Sequence, residues 1–157
     1  MSVLMVGCKS EKKSEQKSNP YLIQPEMILS KKDTMEVRRL TTQYLKRLEK
    51  KDLGGAMDML YYWNGERIQR LPEDLGRKEA HVLAMFVGMK AEIDHIIFVK
   101  DYDSEVKYTI TMFERTDPKD RRPNKASFLL RPVRYKSKWY LTLADKQTDK
   151  VKSQIKH

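Results

Sequence analysis

The apolar residues of this chain recur with a period of about 3.6 up to residue 90 and with a period of 2 from Ala91 onward. Helices followed by a run of strands is the α+β order, in which helices cover one face of an antiparallel sheet. On the helical side, Val37, Leu40, Tyr44, Leu45 and Leu48 share one face. Arg38, Arg39, Gln43, Lys46, Arg47 and Lys50 fill the other. Asp33-Thr34-Met35-Glu36 reads as a capping box, so the first helix is expected to begin near Asp33. Gly54-Gly55 ends or bends it. A short second helix is expected over 56–62, with a turn at Asn64-Gly65. Leu71-Pro72 and Gly76 then precede a third helix over about 77–90, with Ala80, Leu83, Phe86 and Val87 on one side.

Two hairpins follow. In the first, Ile93, His95, Ile97 and Val99 alternate with polar and apolar neighbours, as do Val106, Tyr108, Ile110 and Met112. A turn at Asp103-Ser104 would set His95 opposite Met112, Ile97 opposite Ile110 and Val99 opposite Tyr108, with all six on the apolar face. Residues 116–124 form a charged, Pro-punctuated loop. The second hairpin spans 126–135 and 138–145 and turns at Lys136-Ser137. It sets Trp139 opposite Arg134, Leu141 opposite Pro132 and Leu143 opposite Leu130. Pro132 cannot donate to a ladder, so its strand needs an edge or a bulge there.

The 157 residues fit a single domain, and Cys8 is the only cysteine, so no intrachain disulfide and no thiolate metal cage is available. No stretch after Cys8 has the roughly 18 apolar residues a spanning helix needs. The formal charge of +10 is uneven: residues 1–117 hold 20 Lys+Arg against 19 Asp+Glu, and residues 118–157 hold 12 against 3. A basic face is therefore expected from Arg121, Arg122, Lys125, Arg131, Arg134, Lys136 and Lys138. Such a face suits anionic lipid headgroups or an acidic envelope polymer. No motif reads a nucleic-acid sequence. His81, His95 and His157 lack ligand spacing, so no metal and no cofactor is expected, and Gly54-Gly55 lacks the Lys-Ser/Thr of a phosphate loop.

Three stretches carry a family resemblance: residues 37–45 (VRRLTTQYL), residues 51–60 (KDLGGAMDML), and Lys136-Ser137-Lys138-Trp139-Tyr140-Leu141. They resemble the first helix, the Asp-centred elbow and the closing strand of the nuclear-transport-factor-2-like superfamily, also called the cystatin-like cone or ketosteroid-isomerase-like fold. The likeness covers about residues 33–145. It implies three helices on a curved antiparallel sheet of about four strands. It also implies a conical pocket, for which Tyr61, Trp63, His95, Tyr108 and Trp139 are the candidate lining and a small apolar ligand a candidate occupant. In catalytic members, acidic or His residues in the cone move protons. His95, with Tyr108, is the alternative catalytic candidate here, for an isomerase or hydrolase. A non-enzymatic binding or scaffolding module is the leading expectation, with a homodimer possible.

A second resemblance concerns the start of the chain. Leu4-Met5-Val6-Gly7-Cys8 followed by the polar run 9–18 resembles a bacterial lipobox. It implies a truncated signal peptide over residues 1–8, a lipid on Cys8, a polar tether and lead-in over 9–32, the domain over 33–145 and a basic tail over 146–157. The implied location is the cell envelope. Lys9, where an inner-membrane retention signal would place Asp, favours the outer membrane.

Overall fold

The computed structural model describes residues 30–99 and 103–143. Helix α1 spans Lys31–Glu49, α2 spans Leu53–Met57 and α3 spans Glu73–Ala84. The strands are β1 (Leu60–Trp63), β2 (Ile68–Arg70), β3 (Lys90–Ile97), β4 (Glu105–Thr111), β5 (Lys125–Tyr135) and β6 (Lys138–Leu143). They form one sheet in the order β2-β1-β6-β5-β4-β3. The sheet thus has six strands rather than about four, and it is mixed, because β1 joins β6 in parallel at Leu60↔Leu141 and Tyr61↔Thr142.

Each departure from expectation has a local cause. The capping box is set one turn earlier: Ser30 is the N-cap, accepting from the Asp33 amide, while the Asp33 carboxylate accepts from the Ser30 amide. Asp33 is therefore the third residue of α1, not its cap. Asp52 caps α2 by accepting from the Gly55 amide at 2.9 Å, so this helix includes Gly54-Gly55 instead of following them. A Cβ on Gly55 would meet the Asp52 carboxylate and the Arg47 guanidinium, and both side chains would have to shift to admit it. Leu60-Tyr61-Tyr62-Trp63, expected at a helix end, is instead strand β1, as suits an aromatic run with a free sheet edge to join. Helix α3 begins at Glu73-Asp74, two carboxylates that favour a helix N-terminus, and it carries Gly76 inside it.

Strand β3 holds the largest correction. A bulge between Ile93 and His95 adds one residue, so Ile93 pairs with Tyr108 but Ile96 pairs with Val106 and His95 with Lys107. The expected pairs His95–Met112, Ile97–Ile110 and Val99–Tyr108 do not form. The second hairpin has the register read from the sequence: Arg134↔Trp139, Pro132↔Leu141 and Leu130↔Leu143. Lys136 and Ser137 both have positive φ (50° and 64°), the two-residue turn whose twist matches the strands. Pro132 lies beyond the last β4–β5 pair, Val106↔Leu130, so no ladder bond is lost toward β4.

Helix α1 buries Val37, Thr41, Tyr44, Leu45 and Leu48 against the inner residues Val106, Tyr108, Ile110, Leu130, Trp139 and Leu141. Full burial of each such apolar side chain is worth about 2 kcal/mol, which makes this face the principal source of stability.

Candidate functional site

The hairpin register fixes which residues meet the start of α1. Trp139 and Arg134 are cross-strand partners on the helix-covered face, and Arg134 lies over the Trp139 ring with its Cζ 5.7 Å from the centroid. The Trp139 indole N–H donates to Asp33 Oδ1 at 2.9 Å, and Arg134 Nη1 stands 3.5 Å from Asp33 Oδ2. The Ser30 amide and hydroxyl each donate to Oδ2 at 2.8 Å. Together these hold the Asp33 carboxyl at a pKa of about 2, below the usual 3.8, the Trp139 hydrogen bond contributing most and the Ser30 amide next. The first turn of α1 and the 136–137 turn are thereby joined. Between them opens a notch of about 470 Å³ lined by Asp33, Arg134, Lys136 and Ser137.

Around this notch stand cations of another kind. Lys136 and Lys138 have no carboxylate partner among the described residues. Each ammonium lies 5.4 Å from a tyrosine ring, Tyr135 and Tyr140 respectively. Lys31 and Lys32 open α1 and are exposed. The two tyrosines belong to an aromatic group on the face opposite the helices. Tyr61 meets Tyr140 edge to face at 5.1 Å, Trp63 meets Tyr135 at 6.0 Å, and Arg70 lies 5.5 Å from the Tyr61 ring.

The five candidate pocket residues are not brought together. Tyr108 and Trp139 are core side chains, 0% and 1% exposed. The Tyr108 hydroxyl pairs with that of Tyr44 at 3.1 Å, and its ring stacks on Phe128 at 5.3 Å. Burial pushes both phenols well above the ordinary tyrosine range, so both stay protonated at neutral pH. Tyr61 and Trp63 lie on the opposite face. So does His95, turned outward by the bulge: its Nε2 meets Glu105 Oε1 at 2.9 Å, with the two side chains 40% and 43% exposed. Asp94 shares that outer side and accepts a short hydrogen bond from Thr109. His95, the inward general base implied by the resemblance, is thus on the face opposite the helices.

The expected basic face also divides. Lys125 and Tyr135 begin and end β5, so the residues near each are about 33 Å apart at ~3.3 Å per residue. Arg121, Arg122 and Lys125 stand at one end of the sheet; Arg134, Lys136 and Lys138 stand at the other. Arg131, on the outer face between them, is half-buried rather than fully turned to solvent. Arg122 is held by Asp120 at 2.7 Å. Cys8 and the 146–157 tail lie outside the described residues. Among the described residues no three His, Cys, Asp or Glu side chains are grouped as metal ligands, and no helix is long and apolar enough to cross a membrane.

Sequence reasoning missed Asp33 as the partner of Trp139, and Tyr135 and Tyr140 as rings each lying beneath a lysine. The second was within reach, since the correct hairpin register already places Tyr135 and Tyr140 on the face opposite Trp139.

No protein-family model and no curated protein matches the chain. Among solved structures it is similar to an NTF-2 like protein of unknown function from Shewanella oneidensis, at 14% identity and TM-score 0.44 over 70% of this chain and 94% of that one. It is similar as well to a protein of unknown function with a cystatin-like fold from Nostoc punctiforme, at 22% identity and TM-score 0.47 over 74% and 91%. An LEH-like epoxide hydrolase from M. tuberculosis aligns at 18% identity and TM-score 0.32 over 78% and 91%. Likeness at this level carries nothing about activity.

Proposed function

We propose that this chain is a non-enzymatic binding or scaffolding module carried at the cell envelope by a lipid on Cys8. The observation that supports the non-enzymatic reading is the filled interior. Tyr44, Tyr108, Leu130, Trp139 and Leu141 are each no more than 1% exposed, so they offer a substrate no surface. Their two phenols hydrogen-bond each other and hold their protons, and the histidine that would act as base is on the other side of the sheet. Binding then falls to the exterior, where lysines without carboxylate partners among the described residues stand with aromatic rings around the notch at the start of α1. The envelope reading rests on the lipobox-like residues 4–8 and the polar run behind them. A doubly acylated Cys8 would anchor the chain stably, since each buried CH₂ adds about 0.8 kcal/mol.

The test is labelled-palmitate incorporation and fractionation of the native gene with its upstream codons, beside its Cys8→Ala variant. The parent is expected in the membrane fraction with label, and the variant in the soluble fraction without it. A parent that takes up no label, or a variant that stays membrane-bound, overturns the envelope reading.

A further inference from the structure

We infer that the end of the domain where α1 begins is a docking surface for anionic bilayers. Three chain segments meet there. The first turn of α1 lies against the 136–137 turn through Asp33, and the Phe98 ring after β3 meets Trp139 at 5.4 Å. This end presents Lys31, Lys32, Lys136 and Lys138, none of which has a carboxylate partner among the described residues. Asp33, the carboxylate between the first turn of α1 and the 136–137 turn, already accepts from Trp139 and Ser30 and faces Arg134, while Glu105, opposite Ile97, meets His95. The field beside the 136–137 turn is therefore positive. This end is also apolar: Met35 is 62% exposed, Ile97 48% and Val99 50%, half of the large apolar side chains exposed among the described residues. Cations beside exposed apolar side chains, with Tyr135 and Trp63 at the border, suit a headgroup layer. There the ammonium groups meet lipid phosphates while the apolar groups and rings enter the acyl boundary. At the other end of the sheet the arginines are engaged within their own loop, Arg122 by Asp120 and Arg115 by the Arg122 carbonyl. Ser30, to which the segment bearing Cys8 connects in sequence, lies at this same end. In supplying the membrane, the inference rests on the envelope reading above, but the surface acts without the lipid.

The experiment uses the full chain carrying Cys8→Ser, so acylation plays no part. It is mixed with vesicles of about 30% phosphatidylglycerol in phosphatidylcholine, an anionic surface, and co-sedimented. Binding is expected at low salt, with at least a tenfold loss on going to roughly 0.3 M, where the Debye length is a few ångströms. Pure phosphatidylcholine vesicles should not bind. Lys31→Glu/Lys136→Glu/Lys138→Glu should lose at least tenfold, and Met35→Ser/Val99→Ser severalfold with the salt dependence kept. Lys119→Glu/Arg121→Glu/Lys125→Glu, at the opposite end, should bind like the parent. Thermal melts confirm that each variant is folded. Equal losses from the two triple variants would reduce the effect to net charge and overturn the inference. So would inorganic polyphosphate binding at this end while vesicles do not. Palmitate labelling decides the anchor independently, so either reading can fail alone.

Discussion

The two ends of β5 carry similar numbers of cations and treat them in opposite ways. In the 112–124 loop, Arg115, Lys119, Arg121 and Arg122 alternate with Glu114, Asp117 and Asp120. Asp120 holds Arg122 and also accepts from its amide, Asp117 accepts from the Lys119 amide, and Arg115 donates to the Arg122 carbonyl. Charge there is consumed in shaping a loop. At the 136–137 turn the single carboxylate is tied to an indole, and the lysines lie over rings and face outward. Net charge does not distinguish a binding surface from a folded loop; the disposition of the counter-charges does.

Stability measurements can break this contrast. The largest effect is expected from Trp139→Ala, which removes a 1%-exposed ring and should cost about 4 kcal/mol in urea unfolding. Phe113→Ala, at the loop end, removes a half-buried ring under Arg122 and should cost about 1 kcal/mol. Comparable losses would mean that the two ends are equally built into the core. Next comes Asp33→Asn, expected to cost about 2 kcal/mol at neutral pH by weakening charged hydrogen bonds to Trp139 and Ser30. The carboxyl titrates at about 2 when folded and 3.8 when unfolded. Its contribution is therefore complete above 3.8 and lost as pH falls toward 2, and the Asn variant should flatten that part of the stability–pH curve. Asn124→Ala removes the side-chain bond to the Phe113 carbonyl and should cost about 1 kcal/mol by thermal melt. The smallest change belongs to Arg122→Ala. Its ion pair with Asp120 is short but solvated, the arginine side chain being 74% exposed, so the melting temperature should stay at the parent's value.

What the sequence disclosed depended on whether local signals agreed. In the β5–β6 hairpin, alternation and turn spacing lead to one register, and it is the one observed. In β3–β4 the alternation is as regular, but the extra residue at Asp94 shifts parity in mid-strand and leaves no compositional mark. Unbroken alternation would carry His95 to the helix-covered face, and the bulge is what turns it to the other. Strand β1 has only four residues, and its state is decided by β6, some eighty positions later. The same limit applies to the site. Arg134 over Trp139 follows from strand pairing, whereas the bond from Trp139 to Asp33 spans 106 positions and needs the correct helix start.

The Asp94 bulge has a consequence for how copies of this chain meet. Strand β3 is the last in the sheet, so one side of it has no strand neighbour, although the Ala91 amide donates to Glu49 Oε1 at 2.8 Å. A straight, apolar border of that sort templates further strands from neighbouring molecules. Here the border is kinked halfway, and Lys90, Glu92 and Asp94 stand along it, two of them joined by a 3.2 Å ion pair. A neighbour laid alongside would lose register at the kink and confront charges it cannot match. The irregularity that turns His95 outward therefore also guards the domain against growing, copy upon copy, into a fibre.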